Sequence, residues 1–103
     1  MVIIPLQAIP KQEFTINLEG SFYDISIKLT VTVMSVSISR DGTRIVSNTR
    51  AVPGFPIIPY RYLEDGNFTF ITANDEYPIY ELFGINQFLI YASEQELEDF
   101  RAI

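Results

Sequence analysis

Two pairs of adjacent carboxylates, Glu64-Asp65 and Asp75-Glu76, are the residues of this chain that come nearest to chemistry by type and spacing. Adjacent acids can ligate calcium, and a pair of carboxylates is all that glycoside hydrolysis needs. The Asp-x-Asp-x-Asp-Gly signature of a calcium loop is absent, however, and nothing in 103 residues marks a cleft. Turn and helix-start roles account for both pairs. The chain has neither histidine nor cysteine. That removes the commonest general base, the commonest metal ligand, thiolate chemistry and disulfides. No phosphate-binding glycine loop, nucleophile elbow or Walker motif is present. The residues point to no catalytic group, no metal and no cofactor.

Tyrosines offer a second kind of chemistry. Tyr60, Tyr62, Tyr77, Tyr80 and Tyr91 could stack on a ligand, but at strand and helix spacing such residues pack at core edges with the hydroxyl in water. Charge speaks against nucleic acid. The net charge is −6, and the basic residues are scattered rather than clustered. Residues 1–63 hold six basic and four acidic side chains, whereas 64–103 hold one basic and nine acidic. That acidic half is either a solvated end or a face that docks on a basic neighbour. The N-terminal run Met1–Pro10 has no basic flank and is broken by Pro5 and Pro10, so no signal peptide is expected. No stretch has the 18 or more apolar residues of a membrane span.

The elements that must position these residues are mostly strands. A chain 48% hydrophobic and 19% charged can bury enough apolar surface to fold, and its length fits one domain over residues 1–103. Phe14, Ile16 and Leu18 alternate with polar residues up to Glu19-Gly20. Tyr23 to Val33 continues in one phase, which flips at Met34. An unbroken strand from Tyr23 to Ser39 would be roughly 55 Å long, too long for a domain of this size. The run must therefore turn near Thr32–Ser35 to give two strands. Leu29–Ser39 carries no charge, so it must lie centrally in a sheet or be covered by a partner. Asp41-Gly42 fits a type I′ hairpin turn leading into a strand over Arg44–Arg50. Pro53, Pro56 and Pro59 then make an extended, ladder-poor loop. A further hairpin is expected from Tyr60–Leu63 and Phe68–Thr72. Pro78 to Gly84 reads as a short helix with Ile79, Leu82 and Phe83 on its buried face, and Gln87–Tyr91 as a last strand. Ser93-Glu94-Gln95-Glu96 is a capping box for a C-terminal helix that must pack on something to persist. The expected fold is a small antiparallel β-sandwich or barrel of six to eight strands, with one or two short helices near the C-terminus.

The ordered pattern of short motifs resembles a known family. It runs Ile4-Pro5-Leu6, Gln12-x-Phe14-x-Ile16-x-Leu18-x-Gly20, Tyr23-Asp24-Ile25 and Asp41-Gly42. Pro53-Gly54-x-Pro56-x-Ile58-Pro59-Tyr60, Asn74-Asp75-Glu76-Tyr77-Pro78, Phe83-Gly84 and Leu89-x-Tyr91 complete it. Over residues 3–92 this resembles the small baseplate plug proteins of contractile-tailed bacteriophages, the family named from a cyanophage baseplate. The chain departs from that pattern at Thr30–Ser35, which lacks a polar turn. The resemblance implies a non-enzymatic virion structural protein in the tail baseplate, assembled in the host cytoplasm, filling or sealing space near the hub and the end of the tail tube. Its partners would be other baseplate and tail-tube or hub proteins, with several copies in a symmetric assembly and neither nucleic acid nor membrane.

The residues themselves nominate contact surfaces. Ala51–Pro59 combines a proline-stiffened backbone with apolar side chains, so Pro53, Phe55, Pro56, Ile57, Ile58 and Tyr60 are candidate interface residues. Leu97 and Phe100 on the C-terminal helix are candidates for the same reason. Glu64, Asp65, Asp75 and Glu76 are candidates for pairing with a basic partner. Two rival classes are a carbohydrate- or receptor-binding module on a phage tail, served by the tyrosines, and a small chaperone or inhibitor of one basic partner.

Overall fold

A computed structural model describes residues 1–60 and 64–101, apart from the side chain of Phe100. Its strands are β1 (Val2–Ile4), β2 (Lys11–Leu18), β3 (Ser21–Thr30), β4 (Val33–Arg40), β5 (Thr43–Arg50), β6 (Asn67–Thr72) and β7 (Gln87–Ala92), followed by helix α1 (Glu94–Arg101). They form two antiparallel sheets, a four-stranded one in the order β2-β3-β4-β5 and a three-stranded one in the order β1-β7-β6. The sheets do not close into a barrel. They pack face to face, with Tyr23, Ile25 and Ile27 of β3 and Val36 and Ile38 of β4 against Phe68 and Phe70 of β6 and Leu89 and Tyr91 of β7. The alternation expected of a half-buried strand thus sets which side chains meet.

Two-residue turns join the strands of the large sheet. Leu18 pairs with Ser21 around Glu19-Gly20, and Arg40 pairs with Thr43 around Asp41-Gly42. Asp41 and Gly42 have φ of 49° and 85°, as a type I′ turn needs. The Asp41 carboxylate also accepts the Phe22 amide at 2.9 Å, which ties this turn to β3. The long uncharged run folds into two strands, and its turn falls at Val31-Thr32, just before the expected place. Thr30 pairs with Val33 and Leu29 with Met34, so odd positions face inward before the turn and even positions after it. That reversal is the phase flip seen in the sequence. Val31 has φ of 57° and is 90% exposed. A β-branched residue in this region is strained, and the tight pairing on either side holds it there. β3 and β4 lie centrally, which removes the uncharged segment from any edge.

Two expectations change, and a third lies partly outside the described residues. β1 is an added strand, pairing Val2 with Tyr91 and Ile4 with Leu89. No α-helix forms from Pro78. Only 3₁₀ turns occur there, at Ala73–Asp75 and Tyr80–Leu82, so α1 is the single α-helix among the described residues. The cause is Gln87, buried on β7, whose Oε1 accepts the Ile79 amide at 2.8 Å and whose Nε2 donates to the Tyr77 carbonyl at 3.3 Å. Both bonds hold Tyr77–Ile79 extended. Finally, β6 pairs with β7 on one side and makes bridges to Pro53 and Pro56 on the other. The second hairpin arm expected over Tyr60–Leu63 lies, beyond Tyr60, outside the described residues.

The two sheets are joined at one corner by aromatic rings. Tyr23 of the large sheet meets Phe68 of the small one edge-on at 5.2 Å, and Phe68 meets Tyr91 at 5.2 Å. Gly66 closes over this cluster with φ of 93°, and a Cβ there would lie 2.2 Å from the Tyr91 hydroxyl. Gly66→Ala therefore combines left-handed strain with overpacking and should cost about 2–5 kcal/mol. Gly20→Ala, with nothing within 4 Å of its Cβ, should cost only the backbone share of about 1–2 kcal/mol. Urea denaturation of both variants measures the difference, and equal losses would contradict the role given to the Tyr91 contact.

Candidate interaction face

The chain from Glu64 to Asn67 makes its contacts in three directions. Toward the core, the hydroxyls of Tyr23 and Tyr91 both reach the Asp65 carbonyl, at 2.9 and 3.1 Å. A carbonyl oxygen has two lone pairs, so it has room for both phenols. Tyr91 also lies 3.1 Å from a carboxylate oxygen of Glu19 in the β2–β3 turn. Burial raises both phenol pKa values. Arg40 opposes the rise at Tyr23, whereas the neighbouring Tyr23 and Glu19 add to it at Tyr91.

Toward the proline loop, the buried Asn67 side chain accepts the Ile58 amide and donates to the Ile58 carbonyl, both at 3.0 Å. The same loop bonds to β6, Gly54 N–H to Phe70 O at 2.9 Å and Ile57 N–H to Phe68 O at 2.8 Å. A segment that cannot enter a regular ladder is thus fixed at three backbone points. Pinning splits its side chains. Pro53, Ile57 and Ile58 are buried in this chain's own core, so they leave the candidate face. Phe55, 67% exposed, together with Pro56 and Tyr60, faces outward.

Toward the helix, Glu64 pairs with Arg101 at 2.8 Å, and its side chain is only 5% exposed. It also accepts a bond from Asn67 Nδ2. Glu64 therefore serves inside the chain rather than as an open anion, and its bond raises the Arg101 pKa. The capping box forms in full, with Glu96 N–H on Ser93 Oγ at 3.2 Å and Ser93 N–H on Glu96 Oε1 at 3.1 Å. Glu96 also holds the Met1 ammonium. That bond, more than the one from Ser93, holds its carboxyl below the ordinary range. The contribution of Glu96 is thus present above the usual glutamate pKa and lost as pH falls through the depressed value. Leu97 is half-buried on α1, while the side chain of Phe100 lies outside the described residues.

Of the remaining acids, Asp65, Asp75 and Glu76 are exposed. Asp65 lines an acidic groove with Glu19, Glu94 and Glu98, whereas Asp75 and Glu76 lie away from it beside the first 3₁₀ turn. Glu19, from the weakly charged first half of the sequence, enters the groove only through tertiary folding.

A larger feature sits on the outer face of the small sheet. Strand register sets Ile3, Ile90, Thr69 and Pro56 in one row, with Phe88 and Ile71 paired beside it. Ile3 is 63% exposed and Ile71 46%. The large sheet presents the opposite surface, a polar furrow of about 340 Å³ lined by Glu13, Thr15, Asp24, Ser26, Ser37, Ser39 and Arg44. One outer face of the sandwich is mostly apolar and the other mostly polar, with Phe22 exposed on the latter. β7 carried the signal in its sequence: Phe88 and Ile90 are apolar in one phase and Leu89 and Tyr91 in the other, the pattern of a strand with apolar surroundings on both sides. Among the described residues no group of three or more acids could hold a metal ion. No helix among them is long and apolar enough to cross a membrane.

These features define a small open β-sandwich of two antiparallel sheets. The chain belongs to the cyanophage baseplate plug family: the family described as cyanophage baseplate Pam3 plug gp18 matches residues 1–95. It is thus a structural protein of the phage tail baseplate, with other baseplate proteins of the virion as its neighbours. A search of curated proteins finds no match.

The corner makes an alkaline prediction. Both buried phenols have folded pKa values raised above the unfolded value of about 10. Their contribution is therefore complete below about pH 10 and is lost as pH rises toward the folded values. The urea midpoint should hold steady to about pH 9 and fall above about pH 10. Tyr91→Phe should flatten that fall. A midpoint indifferent to alkali would deny the buried phenols this role.

Proposed function

We propose that this chain is a non-enzymatic plug subunit that fills or seals space near the end of the tail tube by non-covalent assembly. The observation that carries this reading is the apolar outer face of the small sheet, with Ile3 and Ile71 exposed and Pro56 extending it, together with the exposed Phe55 and Tyr60 of the loop. Monomers seldom leave such a surface open unless it binds something. The loop reaches its partner already fixed by the Asn67, Phe68 and Phe70 contacts, so little ordering entropy opposes docking. The partner is a baseplate, hub or tail-tube protein with an apolar contact surface. A carbohydrate-binding reading calls for a concave tyrosine-lined patch, and among the described residues no tyrosine lines the grooves of the two outer sheet faces, the helix start or the proline loop.

Charge orients this docking. Asp65, with Glu19, Glu94 and Glu98, faces a more basic neighbour, and Asp75 and Glu76 extend the same bias. Exposed pairs contribute only about 0–1 kcal/mol each, so their role is steering and exclusion of wrong partners.

Ile71→Lys places a charge on the apolar face and Phe55→Asp one on the outward side of the loop, neither in the core. Each should change stability by less than about 0.5 kcal/mol, while incorporation into assembled baseplates should fall at least several-fold. Normal incorporation of both variants would reduce the loop to a connector. Association kinetics test the acidic surface separately. The on-rate should fall as salt is raised through about 0.1 M, where screening acts within about 10 Å, with the dissociation rate little altered. A salt-independent on-rate would leave the acids as a solubilising surface.

A further inference from the structure

Of the four sheet edges among the described residues, three are blunted. β1 is three residues long and runs into Pro5. β5 is interrupted by register shifts and by Asn48 at φ of 50°. β6 is covered by the proline loop. β2 differs from all of them: it runs eight residues from Lys11 to Leu18 with no proline and no register shift. Such an edge is a template for another strand. The pair Leu18↔Ser21 closes the hairpin, so even-numbered residues of β2 bond to β3. The amides and carbonyls of Glu13, Thr15 and Asn17 therefore point to the free side, and no backbone bond to them from another segment is found among the described residues. A groove of about 400 Å³ runs between the start of β2 and the Pro5–Ile9 connector.

We propose that this edge pairs antiparallel with β2 of a second copy, centred on Thr15, to give one continuous eight-stranded sheet across a two-fold axis. The strand is its own best complement in that register. Thr15 meets Thr15, Phe14 meets Ile16 twice, and Glu13 meets Asn17 twice. Side chains keep their faces, because both members of each pair have the same parity. Phe14 and Ile16 are only partly buried in the single chain and would complete a shared apolar row. Two other registers of the strand bring like charges together. Centring on Glu13 sets two carboxylates together, and centring on Ile16 brings Glu13 against Glu19, and like charges directly opposite are destabilising. The contact is isologous, so it closes at two copies rather than propagating. It uses the edge of the large sheet and leaves the apolar face of the small sheet free, so it goes beyond the docking proposed above and does not depend on it.

Sedimentation velocity over a concentration series of the purified chain tests the pairing. The expected result is a monomer–dimer equilibrium in which the amides of Glu13, Thr15 and Asn17 gain protection from exchange as dimer forms. Thr15→Pro deletes the donor at the two-fold axis, a position where an edge strand tolerates proline, and should give a monomer with a wild-type thermal midpoint. Asn17 supplies a second test that survives a folding defect in that variant. Asn17→Lys sets opposite charges across from Glu13 and should tighten the dimer several-fold, whereas Asn17→Glu should weaken it several-fold. A chain monomeric throughout the series, or Asn17 variants that shift the equilibrium in the same direction, would overturn the proposal. Neither result bears on incorporation of the Phe55 and Ile71 variants into baseplates.

Discussion

Two phenol hydroxyls, one from each sheet, converge on the backbone carbonyl of Asp65, and the rest of the structure is organised around that meeting. A buried hydroxyl without a partner costs about 1–3 kcal/mol. Tyr23 and Tyr91 are held deep by their rings, which pack on each other and on Phe68, so their polar ends must find an acceptor close by. One carbonyl serves both. It can do so only because Gly66 has no Cβ and takes a left-handed backbone, letting the chain pass against the Tyr91 ring.

Fixing Asp65 also fixes the chain on either side of it. Asn67 is two residues on, and from there its amide clamps Ile58 and sets the proline loop against β6. Glu64 is one residue back, where its carboxylate holds Arg101 and with it the end of α1. A helix of eight residues has too few internal bonds to stand alone, so these anchors matter to it. The proline loop and the helix, the two elements whose sequences require a neighbour, find part of that support within the chain. What they leave outward is narrower than their composition suggests, chiefly Phe55, Pro56 and Tyr60.

Much of this is legible in the sequence because it depends on neighbours along the chain. Period-2 alternation marks β2, β3, β4 and β7, Asp41-Gly42 marks its turn, and Ser93 with Glu96 marks the helix start, each through contacts within a few residues. The failures share a cause in long-range pairing. Pro78 offers a good helix start, but Gln87 holds the preceding carbonyl and the following amide extended. Val2–Ile4 is too short to read as a strand until β7 lies beside it. Ile57 and Ile58 look like contact residues for a partner until Asn67 and β6 turn them inward. Glu64 looks like an open anion until Arg101, 37 positions on, folds against it. The family pattern is legible for another reason: it lies in the order of many short motifs, which survives even where each one is generic.

The Glu64–Asn67 corner makes the proline loop part of the sandwich rather than an appended strap, and native-state amide exchange measures this directly. The amides of Gly54, Ile57 and Ile58 bond into β6 or Asn67, so they should open only with that strand. Their opening free energies should match those of the Thr69 and Ile71 amides, which face β7, and should fall together with them in mild denaturant. Loop amides that exchange orders of magnitude faster than those of Thr69 and Ile71, with no response to denaturant, would contradict it.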